Sequence, residues 1–156
     1  MRTYDDPDSE HYNPEAVAAD RALGQTAAEI MRKQQFPEFA EVAHSGVGCY
    51  EPHLIYRNGD SFLIFDTEVS DGNEEEMGVW GRELPDGRVA ERGSREYLLA
   101  GVDDFAKRTE AGTKLAAAIQ SALSAKRVRY ALVRVLVSGP PGSQEAKSIE
   151  FEEFKL

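Results

Sequence analysis

Glu51, His53, Asp66 and Glu68 are the residues of this chain whose types and spacing could do chemistry. Asn58-Gly59 is a strong signal for a two-residue hairpin turn, since both turn positions call for positive φ. Set between HLIYR and DSFLIFD, it predicts two antiparallel strands with Arg57 opposite Asp60. That register pairs Ile55 with Phe62, His53 with Ile64 and Glu51 with Asp66. Side chains alternate along a strand, so Cys49, Glu51, His53, Asp66 and Glu68 fall on one face. Carboxylates suit Mg²⁺, Mn²⁺ or Ca²⁺, and adding His and Cys suits Zn²⁺. A divalent ion there would relieve the like-charge opposition of Glu51 and Asp66 and could activate water for hydrolysis. The plainer reading is a solvated hairpin end with no metal, no cofactor and no catalytic set. We take it as primary. The metal or hydrolytic site of Glu51, His53, Asp66 and Glu68 stands as its alternative.

The residues that follow invite a different use. Asp71, Glu74, Glu75 and Glu76 precede Met77, Val79 and Trp80, the only tryptophan. An aromatic beside an acidic rim has the composition of a protein-binding edge, while the plainer reading is a solvated loop at 71–76 and a core position for Trp80 on a strand. As a calcium loop the segment fails: counted from Asp66, position five is Ser70 and position six is Asp71, where the pattern needs an acid and a glycine. Gly139-Pro140-Pro141-Gly142 has no Lys-Ser/Thr after it and is a stiff turn, not a phosphate loop. Cys49 lies among acids, which oppose thiolate formation, so it makes a poor nucleophile. Lys126, Arg127, Arg129 and Arg134 are assigned to helix capping and to cross-strand pairing with Glu150 and Glu152.

These groups must be positioned by one domain, for which 156 residues suffice. A composition 41% hydrophobic and 29% charged is that of an ordinary globular protein. Residues 1–12 read as a flexible acidic arm and 13–156 as a single domain. Asn13-Pro14-Glu15 is a helix start: N-cap, proline at the first helical position, and an acid at the positive end of the dipole. Ala16, Ala19, Leu23, Ala27 and Ile30 form an apolar stripe, and the helix should stop before Phe36-Pro37. Residues 37–48 fit either a short strand or a helical turn. Leu54, Tyr56, Leu63 and Phe65 fall on the face opposite Ile55 and Phe62, so the hairpin strands are central, with cover on both sides. A third strand is expected near Gly78–Leu84 and a short fourth at Val89–Arg92, joined by a turn at Pro85–Arg88.

Asp103-Asp104 read as the cap of a long helix with Val102, Phe105, Thr109, Gly112, Ala116, Ile119 and Leu123 in one seam. RVRYALVRVLV is a strand by its β-branched content, and SIEFEEFKL pairs back on it. Setting Val137 opposite Ile149 puts Arg134 opposite Glu152 and Leu132 opposite Phe154. The fold class is therefore α+β: a mainly antiparallel sheet of about five strands, with a central Asn-Gly hairpin and a C-terminal hairpin, packed by two helices.

The order helix–strand–strand–strand–helix–strand over residues 14–137 resembles the core of PD-(D/E)xK nucleases. Pro52-His53 and Asp66-Thr67-Glu68 fall where that family carries its two motifs. Pro52 and Asp66 match them. His53 stands where the first acid would be, and Glu68 where the lysine that positions the attacking water would be. The resemblance implies a degenerate nuclease-like domain, with metal at Asp66 in any active form.

A net charge of −10, from 28 acids and 18 bases, repels phosphate backbones and disfavours nucleic acid. The same field steers the chain towards a basic partner. No apolar run reaches membrane-spanning length, the N-terminal segment lacks the apolar core of a signal peptide, and a single cysteine suits a reducing compartment; a cytoplasmic protein is expected. The primary expectation is a small acidic, non-catalytic inhibitor or immunity-type protein. It would bind a basic protein through Asp71, Glu74, Glu75, Glu76 and Trp80. The metal-dependent hydrolase is the alternative, and the 102–123 seam leaves room for a homodimer.

Overall fold

The computed structural model describes residues 8, 10–44, 54–70, 81–107, 110–140 and 143–156. Helix α1 spans Pro14–Gln35. Asn13 caps it as its composition requires: the side-chain oxygen accepts from the Ala16 amide at 3.2 Å. The helix ends at Phe36, the residue ahead of Pro37, where helical geometry is disfavoured. Its buried face is Ala16, Gly24, Ala27 and Ala28, while Ile30 is exposed, so the expected stripe is rotated. Small residues win because α1 lies close on the sheet. A Cβ on Gly24 would stand 2.9 Å from Thr67 Oγ1.

Strands β1 (Ala40–His44), β2 (Leu54–Asn58) and β3 (Ser61–Ser70) form an antiparallel meander. The ambiguous segment after α1 is thus a strand. A short hairpin, β4 (Gly81–Glu83) and β5 (Val89–Glu91), makes a separate two-stranded sheet around the expected Pro85–Arg88 turn. The single long helix expected next is instead two, α2 (Arg95–Ala106) and α3 (Glu110–Ser124). Asp103 and Asp104 lie inside α2, and the cap is Ser94, whose hydroxyl accepts from the Tyr97 amide at 3.1 Å. Of the expected seam, Val102, Gly112, Ala116, Ile119 and Leu123 are buried, while the Phe105 side chain and Thr109 lie outside what is described. Strands β6 (Val128–Ser138) and β7 (Glu145–Phe154) complete the chain.

Among the described residues the main sheet has five strands in the order β1-β2-β3-β6-β7. All junctions are antiparallel except β3–β6, which is parallel because α2 and α3 carry the chain back to the starting edge. The α+β class holds, with three helices among the described residues where two were expected. One face packs on α1 through Leu54, Tyr56, Leu63, Phe65, Ala131, Val133 and Val135. The other packs on α2 and α3 through Ile55, Phe62, Ile64 and Tyr130. No described helix is long and apolar enough to cross a membrane.

Both hairpin registers differ from expectation by two residues. Ile55 lies opposite Ile64, and Asn58 opposite Ser61, so the turn is Gly59-Asp60 and only Gly59 has positive φ. Ile64, expected opposite His53, therefore faces Ile55. In the C-terminal hairpin Val135 opposes Ile149, Arg134 opposes Glu150 and Leu132 opposes Glu152. A slip of two leaves every side chain on its original face, so the prediction of faces stands while the pairs change.

A buried ionic network at the end of the parallel pair

On the α2/α3 face, β3 runs apolar through Phe62 and Ile64, then presents Asp66 and Glu68. The parallel register sets Asp66 beside Leu132 and Glu68 beside Arg134. Asp66 is fully buried, and the Glu68 side chain is 9% exposed. Carboxylates so removed from water need cations or donors. Two arginines and a tyrosine supply them.

Arg92 comes from the turn between β5 and α2, closed by the Ser94 amide donating to the Glu91 carbonyl at 3.0 Å. Gly93 has φ +89°, the conformation such a turn requires at its third position. A side chain there would also collide with the Phe154 ring. Held by this turn, the Arg92 guanidinium places Nε 3.8 Å from Asp66 Oδ2 and Nη1 3.7 Å from Glu68 Oε1. Its Nη2 donates to the Thr67 carbonyl at 3.1 Å. The Tyr130 hydroxyl donates a short hydrogen bond to Asp66 Oδ2. Arg134 Nε donates to Glu68 Oε2 at 2.6 Å, and its Nη1 reaches Glu150 Oε2 at 3.5 Å. Burial by itself would favour neutral Arg134. The hydrogen bond and charge of Glu68, followed by those of Glu150, outweigh it and raise its pKa above the ordinary guanidinium value.

Glu68 thus directs one oxygen at each guanidinium. A metal ion at either oxygen would have to compete with the cation already beside it. Of the expected site residues, Asp66 and Glu68 are brought together on one face.

 Of the other expected residues, Cys49, Glu51, His53, Asp71, Glu74, Glu75, Glu76 and Trp80 all lie outside the described residues. Among the described residues no group of three His, Cys, Asp or Glu side chains could hold a metal ion.

Arg92 and Tyr130 were not anticipated from the sequence. A signal existed for Arg134, a charge on a valine-rich strand covered on both faces, and its partner had to be sought on a neighbouring strand. That partner is mainly Glu68, not Glu152. Arg92 follows the short strand β5, of which Ala90 is buried, and nothing in the neighbouring sequence identifies Asp66 and Glu68 as its partners.

No protein-family model, curated protein or solved structure matches this chain.

Proposed function

We propose that this chain is a non-catalytic binding module of the inhibitor or immunity type, acting in the cytoplasm on a basic protein partner. The observation that carries this reading is the internal neutralisation of Asp66 and Glu68 by Arg92 and Arg134. The carboxylates best placed for hydrolysis are engaged within the fold, while the chain keeps a net charge of −10 for its surface and loops. An acidic surface accelerates encounter with a cationic partner and selects against anionic ones. Asp71, Glu74, Glu75 and Glu76, with Trp80 as the aromatic anchor, are the proposed contact residues. The test is a titration against small basic nucleases at low and high salt. Reversing Glu74, Glu75 and Glu76 to lysine should weaken binding by about tenfold or more at low salt with Tm unchanged. Unchanged affinity would remove this segment, and no binding to any basic protein would sink the reading.

The order of elements favours a second reading. Helix α1, strands β1 to β3, the helical crossover and β6 follow the order that resembles PD-(D/E)xK nucleases. A metal-dependent hydrolase at Asp66 would need Arg92 or Arg134 to give way to the ion. Thermal-shift titration with Mg²⁺, Mn²⁺, Ca²⁺ and Zn²⁺ separates the readings, because an ion that binds only the folded state raises Tm. A rise that is lost in Asp66→Asn would favour the hydrolase; no rise with any ion would favour the binding module.

A further inference from the structure

Strand β7 closes the main sheet: it pairs with β6 on one side, and no described strand lies on the other. An edge strand presents a row of outward N–H and C=O groups able to pair with another chain. Apart from Ile149 and Phe154, which are half-buried, β7 is exposed along its length.

Its two faces differ in chemistry. Glu150 and Glu152 share the α2/α3 side with Leu132 and Arg134, across from which they pair. Together with Phe151 these residues line a depression of about 400 Å³. Glu152 has no ion-pair partner among the described residues, and Glu150 holds Arg134 only at 3.5 Å while Glu68 holds it at 2.6 Å. On the α1 side stand Ile149 and Phe151. The Phe151 ring meets Phe36 at 5.9 Å and Phe65 at 6.0 Å, yet the residue remains 37% exposed.

We propose that β7 is a docking edge that accepts an extended segment of the basic partner as an additional strand. In that segment Lys or Arg would alternate with apolar residues. The basic side chains would face Glu150 and Glu152, and the apolar ones would extend the row of Ile149 and Phe151. Main-chain hydrogen bonds supply affinity in such strand addition, and alternate side chains supply specificity. Charge decides the occupant. A second copy paired antiparallel about Glu150–Glu152 would bring glutamates of both copies face to face, whereas a cationic strand makes opposite-charge pairs there. The inference rests on the binding-module reading and names the partner's segment.

The test uses the full chain and a fluorescent octapeptide alternating Lys and Val. Two controls are a block peptide of the same composition and the alternating peptide N-methylated at its central amides. The alternating peptide should bind about tenfold more tightly than the block peptide, and Glu152→Lys should weaken it by a similar factor. Methylation should abolish binding. Equal binding of the block or methylated peptide, an unchanged Kd in the variant, or no binding of the alternating peptide would overturn the docking edge. Glu152 is exposed and unpaired among the described residues, so an unchanged Tm is expected for the variant. The nuclease titration described above is run in parallel. Basic proteins that bind while the alternating peptide fails would overturn the edge and leave the binding module standing; failure of both would overturn both.

Discussion

The two faces of the central sheet are built from alternate residues of the same strands, yet they are stabilised differently. Beneath α1 the buried row carries no charge and is apolar apart from Thr67: Leu63 and Phe65 on β3 and Ala131, Val133, Val135 and Val137 on β6 are all buried. Beneath α2 and α3 the row begins apolar with Phe62, Ile64 and Tyr130, then turns ionic at Asp66, Glu68 and Arg134. The apolar face gains from burial alone, tolerates changes of similar volume, and responds little to pH. The ionic half is held by specific pairs, so removing one member leaves a buried charge without compensation.

The largest expected effect comes from opening that network. Arg92→Met should destabilise by about 3–5 kcal/mol in urea unfolding, because it removes the cation shared by two buried carboxylates. Adding Asp66→Asn and Glu68→Gln to the same chain should return part of that loss. Phe65→Ala on the opposite face should cost a similar 3–5 kcal/mol or so through its cavity, and the same two carboxylate changes should leave its cost unaltered. Rescue of both variants, or of neither, would erase the distinction between the faces.

A smaller effect contrasts two glycines. Gly93→Ala combines a positive φ with a clash against Phe154 and should cost roughly 2–3 kcal/mol. Gly24→Ala, whose added carbon meets only the Thr67 side chain at 2.9 Å, should cost about 1 kcal/mol by the same assay. The reverse ranking would mean that α1, not the Arg92 turn, is the less adaptable contact.

The smallest effect sets a half-buried pair on α1 beside the buried network. The hydrogen bond from Arg32 holds the Glu29 carboxyl below its ordinary pKa; burial opposes this, and the charges of Arg32 and Lys33 add to it. A depressed folded pKa contributes stability above the unfolded carboxylate value and loses it as pH falls through the folded one. Glu29→Gln should therefore be less stable at neutral pH by about 0.5 kcal/mol, given the partial exposure of the pair. Its Tm should converge with that of the native chain as pH drops below the carboxylate range. A gap that persists in acid would assign the effect to packing.

Much of this was legible in the residues. Asn13-Pro14 marks the start of α1 and Phe36-Pro37 its end, because caps and proline act within a few residues. The alternation of Ile55 and Phe62 against Leu54, Tyr56, Leu63 and Phe65 predicts which face each occupies. The turn was harder. Asn-Gly favours a turn centred on both residues, but the observed register gains Ile55 opposite Ile64, and packing across the sheet prevails over local turn preference. The break between α2 and α3 was hidden because the apolar seam continues through it, and periodicity cannot register a change of helix that keeps the same buried side.

The sequence by itself determined the two ends of α1, the two-sided character of β2 and β3, the β-strand nature of β6 and the α+β class, since capping, alternation and β-branching are properties of near neighbours. Tertiary structure alone decided that β3 and β6 are parallel neighbours, which brings Glu68 beside Arg134 across 66 positions of chain. It also decided that Arg92, from the turn after β5, reaches Asp66 and Glu68. Charge pairing of this kind depends on distance in space, and separation along the chain carries no trace of it.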